Sequence, residues 1–224
     1  KTAYEITYGD WSSDVCSSDL QMREQFGPDV DIAFDFHGAV EPQTAMLLIK
    51  AIEANQPYFV EEPVQCQNIG VMADIAAKTH IPIATGERVF TKWSFREVLE
   101  QKAATIIQPD ICYAGGITEL RLIAGIAETF YVPLAPHNPQ GPCSLAASCQ
   151  LAAAIPNFLI QEQGTRSHDN LLKNPFKAEK GYLTVSTAPG LGIEIDEDKF
   201  MAHVGEPQAY QRTYDKDDGS VVDW

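Results

Sequence analysis

The sequence predicts an α/β fold, a parallel TIM-type barrel, on three observations. Short apolar runs alternate with stretches long enough for one helix each, at residues 30–35, 58–60, 81–86, 105–109, 132–136 and 158–161. Each run closes on a polar residue: Asp35, Glu61, Glu87, Asp110, His137 and Glu162, in steps of 26, 26, 23, 27 and 25 residues. Such alternation implies a parallel sheet. An open doubly wound sheet would gather its ligand groups at one switch point. Polar residues ending six successive strands favour a closed barrel instead, whose C-terminal strand ends carry the chemistry.

The elements follow in order. Residues 1–20 do not fit the rest: residues 11–20 have neither helical nor strand periodicity, and their SSDV and SSDL halves repeat each other. They resemble adapter-derived sequence more than a protein motif, so residues 1–20 are set aside as a non-native or remnant segment. Met22 and Phe26 lie four apart, as on one helix face, and Gly27-Pro28-Asp29 ends that helix. After the first run, Pro42 sits near a helix start, and Ala45, Leu48, Ile49 and Ile52 face the barrel. Asn55-Gln56-Pro57 breaks this helix. Further helices are expected near residues 69–78 and 94–101, and through Leu120, Ile123, Ala124 and Ala127. Gly141-Pro142 opens another, over residues 144–155. Ala114-Gly115-Gly116 forms a loop where backbone can approach a ligand. The partial barrel thus occupies residues 21–183. A C-terminal segment, residues 184–224, packs on it, with a loop at Pro189-Gly190-Leu191-Gly192-Ile193 and little periodicity after that. Six strands are evident where a closed barrel needs eight, so the first two are expected to be missing.

Composition narrows the class. With 45% hydrophobic residues, the 224-residue chain can bury a sizeable core. A net charge of −15 argues against nucleic acid as a partner. Part of it is local, because residues 194–224 hold nine acids and three bases. No apolar run reaches the length of a membrane span. Five cysteines (Cys16, Cys66, Cys112, Cys143, Cys149) without CxxC pairing predict a reduced, cytoplasmic chain.

Asp35, Glu61 and Glu87 end three consecutive strands, so their carboxylates are expected to converge. Anions that close repel unless a cation sits among them. An all-oxygen set suits Mg²⁺ better than zinc, which would recruit His or Cys. Asp110 and His137 end the next two strands, and a carboxylate beside an imidazole fixes its tautomer and raises its basicity. His37 lies two residues past Asp35. Strand alternation would point both the same way, leaving one histidine on each side of the metal. His80, His168 and His203 read as structural.

As a set, Asp35-Phe36-His37-Gly38, Val60-Glu61-Glu62-Pro63, Thr85-Gly86-Glu87-Arg88, Gln108-Pro109-Asp110, Ala114-Gly115-Gly116-Ile117, Ala135-Pro136-His137 and Gln161-Glu162 resemble the mandelate racemase/muconate lactonizing branch of the enolase superfamily. The resemblance implies a (β/α)7β barrel, the enolase-like C-terminal domain, here without the family's N-terminal capping domain. It implies Mg²⁺ held by Asp35, Glu61 and Glu87, with His137 as base, oriented by Asp110. His37 is then the acid for a departing hydroxyl, and Glu162 hydrogen-bonds the developing enediolate. The activity implied is a hydro-lyase on a small-molecule aldonate, galactonate first and gluconate or mannonate as alternatives. A non-catalytic protein on an inherited barrel is the rival reading. The resemblance further implies a homo-oligomer for the full-length protein. Without cap and first strands, the chain as it stands is expected to lack turnover.

Overall fold

Parallel strands pair in the order in which the chain makes them: β1 (Ala3–Ile6), β2 (Asp31–Asp35), β3 (Val60–Glu61), β4 (Ile83–Thr85) and β5 (Ile106–Ile107). The structure, a computed structural model, describes residues 3–6 (backbone), 22–163 and 171–204. Single parallel bridges continue the sheet from Ile107 to Leu134 and from Leu134 to Phe158. The order never reverses, as in a barrel wall. All six expected strands are there, two of them reduced to one bridging residue.

The helices between them are α1 (residues 22–26), α2 (Pro42–Ile52), α3 (Ile69–Ala76), α4 (Thr91–Glu100), α5 (Gly116–Thr129) and α6 (Pro142–Ala152). Pro42 and Pro142 each open their helix, where a missing N–H costs nothing. Ala45, Ile49 and Ile52 are buried on α2, with Leu48 partly buried against the same core. On α5, Leu120, Ile123, Ala124 and Ala127 are all buried.

Strand alternation divides the apolar residues into two sets. Ile32, Phe34, Val60, Ile83, Ile107 and Leu134 join the helices in the main core. Ala33, Phe59, Ala84, Ile106 and Ala135 form a second cluster on the other face of the sheet, the barrel interior. Counting on by two from this second set reaches Asp35, Glu61, Asp110 and His137. The interior face of the sheet therefore runs out into the polar rim.

Two expectations are corrected. Setting aside residues 1–20 was too broad: Ala3–Ile6 pairs with the first four residues of β2, in register Ala3↔Asp31 to Ile6↔Phe34. The aperiodic stretch is residues 11–20; Ala3–Ile6 is a strand because it supplies the backbone partners that the edge of β2 needs. One strand thus precedes the six read from the sequence. The helix expected from Met22 and Phe26 is there, with Met22 packed on the core and Phe26 exposed. The C-terminal segment is also more regular than expected, with α7 (Glu197–His203) capped by Asp196, whose side chain accepts from the Lys199 N–H. That segment meets the barrel at the partly buried Leu191 and through a Gln150 Nε2 bond to the Ser186 carbonyl, 2.8 Å. Cys16, His168 and residues 205–224 lie outside the described residues. Cys66, Cys112, Cys143 and Cys149 are free thiols. Among the described residues, no helix is long and apolar enough to cross a membrane.

Candidate active site

The rim begins at the end of β2. Asp35 and Glu61 are register partners on neighbouring strands, and both are buried. The strand stops at Asp35, so alternation does not carry His37 to the site. A tight turn does: the Asp35 Oδ1 accepts the His37 backbone N–H at 2.7 Å, and His37 takes a left-handed φ of 52°. The turn leaves His37 Nδ1 3.6 Å from Asp35 Oδ2.

Glu87 reaches the rim by a different route. It is out of step with the interior residue Ala84, and Gly86 between them has a φ of 156°. A Cβ on Gly86 would lie 2.5 Å from the Gln108 carbonyl carbon, so only glycine lets β4 pass β5 this closely. Beyond it, the Glu87 carboxylate sits between two imidazoles. Its Oε1 is 3.6 Å from His37 Nε2, and its Oε2 is 3.3 Å from His137 Nε2.

The other nitrogen of His137, Nδ1, lies 2.8 Å from Asp110 Oδ2. Asp110 is fully buried, and its Oδ1 accepts the Cys112 and Tyr113 N–H groups at 2.7 and 3.2 Å. A carboxylate fixed this way holds the ring's orientation. Burial alone would push the His137 imidazole down. The Asp110 hydrogen bond, with the charges of Glu162 and Glu87, outweighs burial and holds the ring above its ordinary value. Glu162 Oε2 accepts the backbone N–H of Asn138, the residue after His137. All seven residues singled out from the sequence stand at this rim, at the strand ends or in the loops just past them.

A model of the enolase C-terminal domain-like family matches residues 13–199. The chain belongs to that family. Its TIM-type barrel is the family fold, and a solved mandelate racemase/muconate lactonizing enzyme-like protein from Roseovarius sp. TM1035 superposes with a TM-score of 0.84. That protein is 39% identical, and the match covers 90% of this chain and 54% of the other. The 3,6-anhydro-D-galactonate cycloisomerase from Zobellia galactanivorans also gives a TM-score of 0.84 at 29% identity, covering 90% and 58%. D-galactonate dehydratase from Cronobacter sakazakii is 43% identical over 214 residues, 91% of this chain and 56% of that protein. The chain therefore spans little more than half the length of this curated relative.

In this enolase-type rim the donor chemistry fits a hard divalent cation. Asp35, Glu61 and Glu87 offer oxygen only, from three adjacent strand ends. The side chains as they stand do not gather into a ready cation cluster: among the described residues, no three His, Cys, Asp or Glu are grouped to hold a metal. Asp35 and Glu61 are register partners at neighbouring strand ends, while the Glu87 carboxylate lies between the two histidines.

Two further residues belong to the rim. Arg88 forms an ion pair with Glu62, which is wholly buried, and its Nη2 also donates to the His37 carbonyl at 2.8 Å. Burial pushes the Glu62 carboxyl up, against the opposing pull of the Arg88 hydrogen bond and charge. Both stand beside residues read as ligands, and neither was assigned a role from the sequence. The available signal was a second acid, Glu62, directly following Glu61 at the end of an apolar strand. His80 is exposed.

Proposed function

We propose that this barrel carries the catalytic groups of a Mg²⁺-dependent acid-sugar dehydratase that removes water from D-galactonate to give 2-keto-3-deoxy-galactonate. The observation that carries the reading is the line Asp110–His137–Glu87–His37, in which two imidazoles flank one carboxylate and only His137 is hydrogen-bonded at its other nitrogen by a buried carboxylate, at 2.8 Å, Asp35 standing 3.6 Å from His37 Nδ1. That asymmetry suits two different proton-transfer roles. The 43% identity to D-galactonate dehydratase supports the substrate.

Asp35, Glu61 and Glu87 would hold the cation. When bound, Mg²⁺ would polarise the substrate carboxylate and lower the cost of the negative charge left by proton removal. His137, with Nδ1 engaged by Asp110, has Nε2 free of that bond to take the C2 proton. The C2–H electron pair moves into the enediolate, which Glu162 would hydrogen-bond. His37 then gives its proton to the C3 hydroxyl as the C3–O bond breaks. Water leaves, and the remaining enol tautomerises to the 2-keto acid. Hydroxide is a poor leaving group, so a proton delivered from the face opposite the base is the essential second contribution.

Keto-acid release by the full-length protein from a panel of galactonate, gluconate and mannonate, with Mg²⁺ and with chelator, tests the reading. Galactonate should be the preferred substrate and chelator should stop turnover. Release from none of the three would refute it, and preference for gluconate or mannonate would reassign the substrate.

A further inference from the structure

Asp35 and Glu61 end two neighbouring strands and Glu87 stands two residues past a third, yet one guanidinium touches the loop at each of them. We propose that Arg88, paired with Glu62, is a positioning residue that holds His37 and Glu87 in their mutual geometry. Its catalytic consequence rests on the dehydratase reading above.

The backbone states the need. His37 and Glu62 both take left-handed φ values, 52° and 37°, in side-chain-bearing residues that ordinarily avoid them. Such conformations persist where the surroundings hold them. Here the holding contacts converge on Arg88. Its Nη2 donates to the His37 carbonyl at 2.8 Å and to the Glu62 carboxylate, while the Gly38 N–H donates to the Glu62 carbonyl at 2.8 Å. A Cβ on Gly38 would fall 2.6 Å from Arg88 Nη2, so the guanidinium fills the space a side chain would need. The third loop is Arg88's own. Its Nε is buried without a hydrogen-bond partner and lies 3.8 Å from Glu87 Oε1, close enough to attract that carboxylate.

The pair is costly as mere scaffolding. Glu62 is fully buried, with Thr85 Oγ1 3.4 Å from its Oε1. Apolar residues of similar volume often stabilise a protein as well as a buried ion pair does. A guanidinium nitrogen that bonds two acceptors on different loops has a use they lack: it sets direction. What it directs is the loop carrying His37 and the carboxylate facing it.

The test, made in the full-length protein, separates direction from stability. Arg88→Met alone leaves Glu62 buried and unpaired and should lower Tm. Adding Glu62→Gln removes the orphaned charge and should recover most of that Tm. If Arg88 positions His37, the double variant keeps a kcat for galactonate depressed by about 100-fold with little change in KM, the scale of a small misplacement. Its His37 Cα and Cβ chemical shifts, which report φ, should leave the left-handed range. Wild-type His37 shifts in the double variant would overturn the proposal, whatever the turnover. If the wild-type protein releases no keto acid, the dehydratase reading fails by itself, and the His37 shifts still decide the role of Arg88. Arg88→Lys, which keeps the charge but loses the planar guanidinium, gives the same NMR comparison should the double variant not fold.

Discussion

His37 and His137 face each other across a single carboxylate, with Glu87 Oε1 3.6 Å from one ring and Oε2 3.3 Å from the other. His137 is backed by a second carboxylate, Asp110, at a hydrogen-bonding 2.8 Å, whereas Asp35 stands 3.6 Å from the other nitrogen of His37. Two rings of the same type thus stand in different electrostatic settings around one group. That difference, rather than the presence of two histidines, makes a base and an acid distinguishable.

The base is tested at the C–H bond. In the full-length protein, His137→Asn should reduce exchange of the galactonate C2 proton with deuterium by roughly 100- to 10,000-fold, the range for loss of a general base. Proton NMR of substrate in D₂O reads this directly, and undiminished exchange would remove His137 from the role.

Asp110→Asn tests the setting of that ring. The variant loses a full charge and leaves a weaker hydrogen bond, so His137 should titrate lower than in the parent, as followed by NMR in the metal-free protein. The sign follows from linkage. A ring whose folded pKa is raised adds stability that is complete below its ordinary value of 6.5 and fades as pH rises through the raised one. Asp110→Asn should therefore cost more stability under mildly acidic than under alkaline conditions. Equal losses at both ends would show that the pair is not coupled as described.

Glu61→Gln tests the cation site. Glu61 is 2% exposed, deeper than a residue on an open rim, but glutamine keeps its shape and removes only charge. In the metal-free protein Tm should hold. The increment in Tm that Mg²⁺ adds by binding the folded state should shrink or vanish. Calorimetry giving unchanged Mg²⁺ affinity would take Glu61 out of the ligand set.

Gly86→Ala tests the close pass of β4 over β5. The new methyl would meet the Gln108 backbone at 2.5–2.7 Å at a φ of 156°, and backbone cannot swing aside as a side chain can. Overpacking and backbone strain together should destabilise the fold by roughly 3 kcal/mol. Urea denaturation measures it, and a loss below about 1 kcal/mol would mean that the two loops separate easily.

The sequence by itself determined the strand order, most of the helices and the identity of the rim residues. These features are local or periodic: buried parallel strands read as apolar runs, and a polar residue ending each run marks the rim whatever the exact packing. Ala3–Ile6 escaped because four residues beside an aperiodic stretch carry too little pattern, and its strand exists through pairing with β2. Only the tertiary structure decided how the rim residues meet. His37 arrives by a left-handed turn instead of strand alternation, and Glu87 is swung between the imidazoles beyond Gly86. Arg88 and Glu62 acquire their importance from contacts across three loops. Those depend on distances between residues far apart in the chain, which spacing along a sequence does not contain.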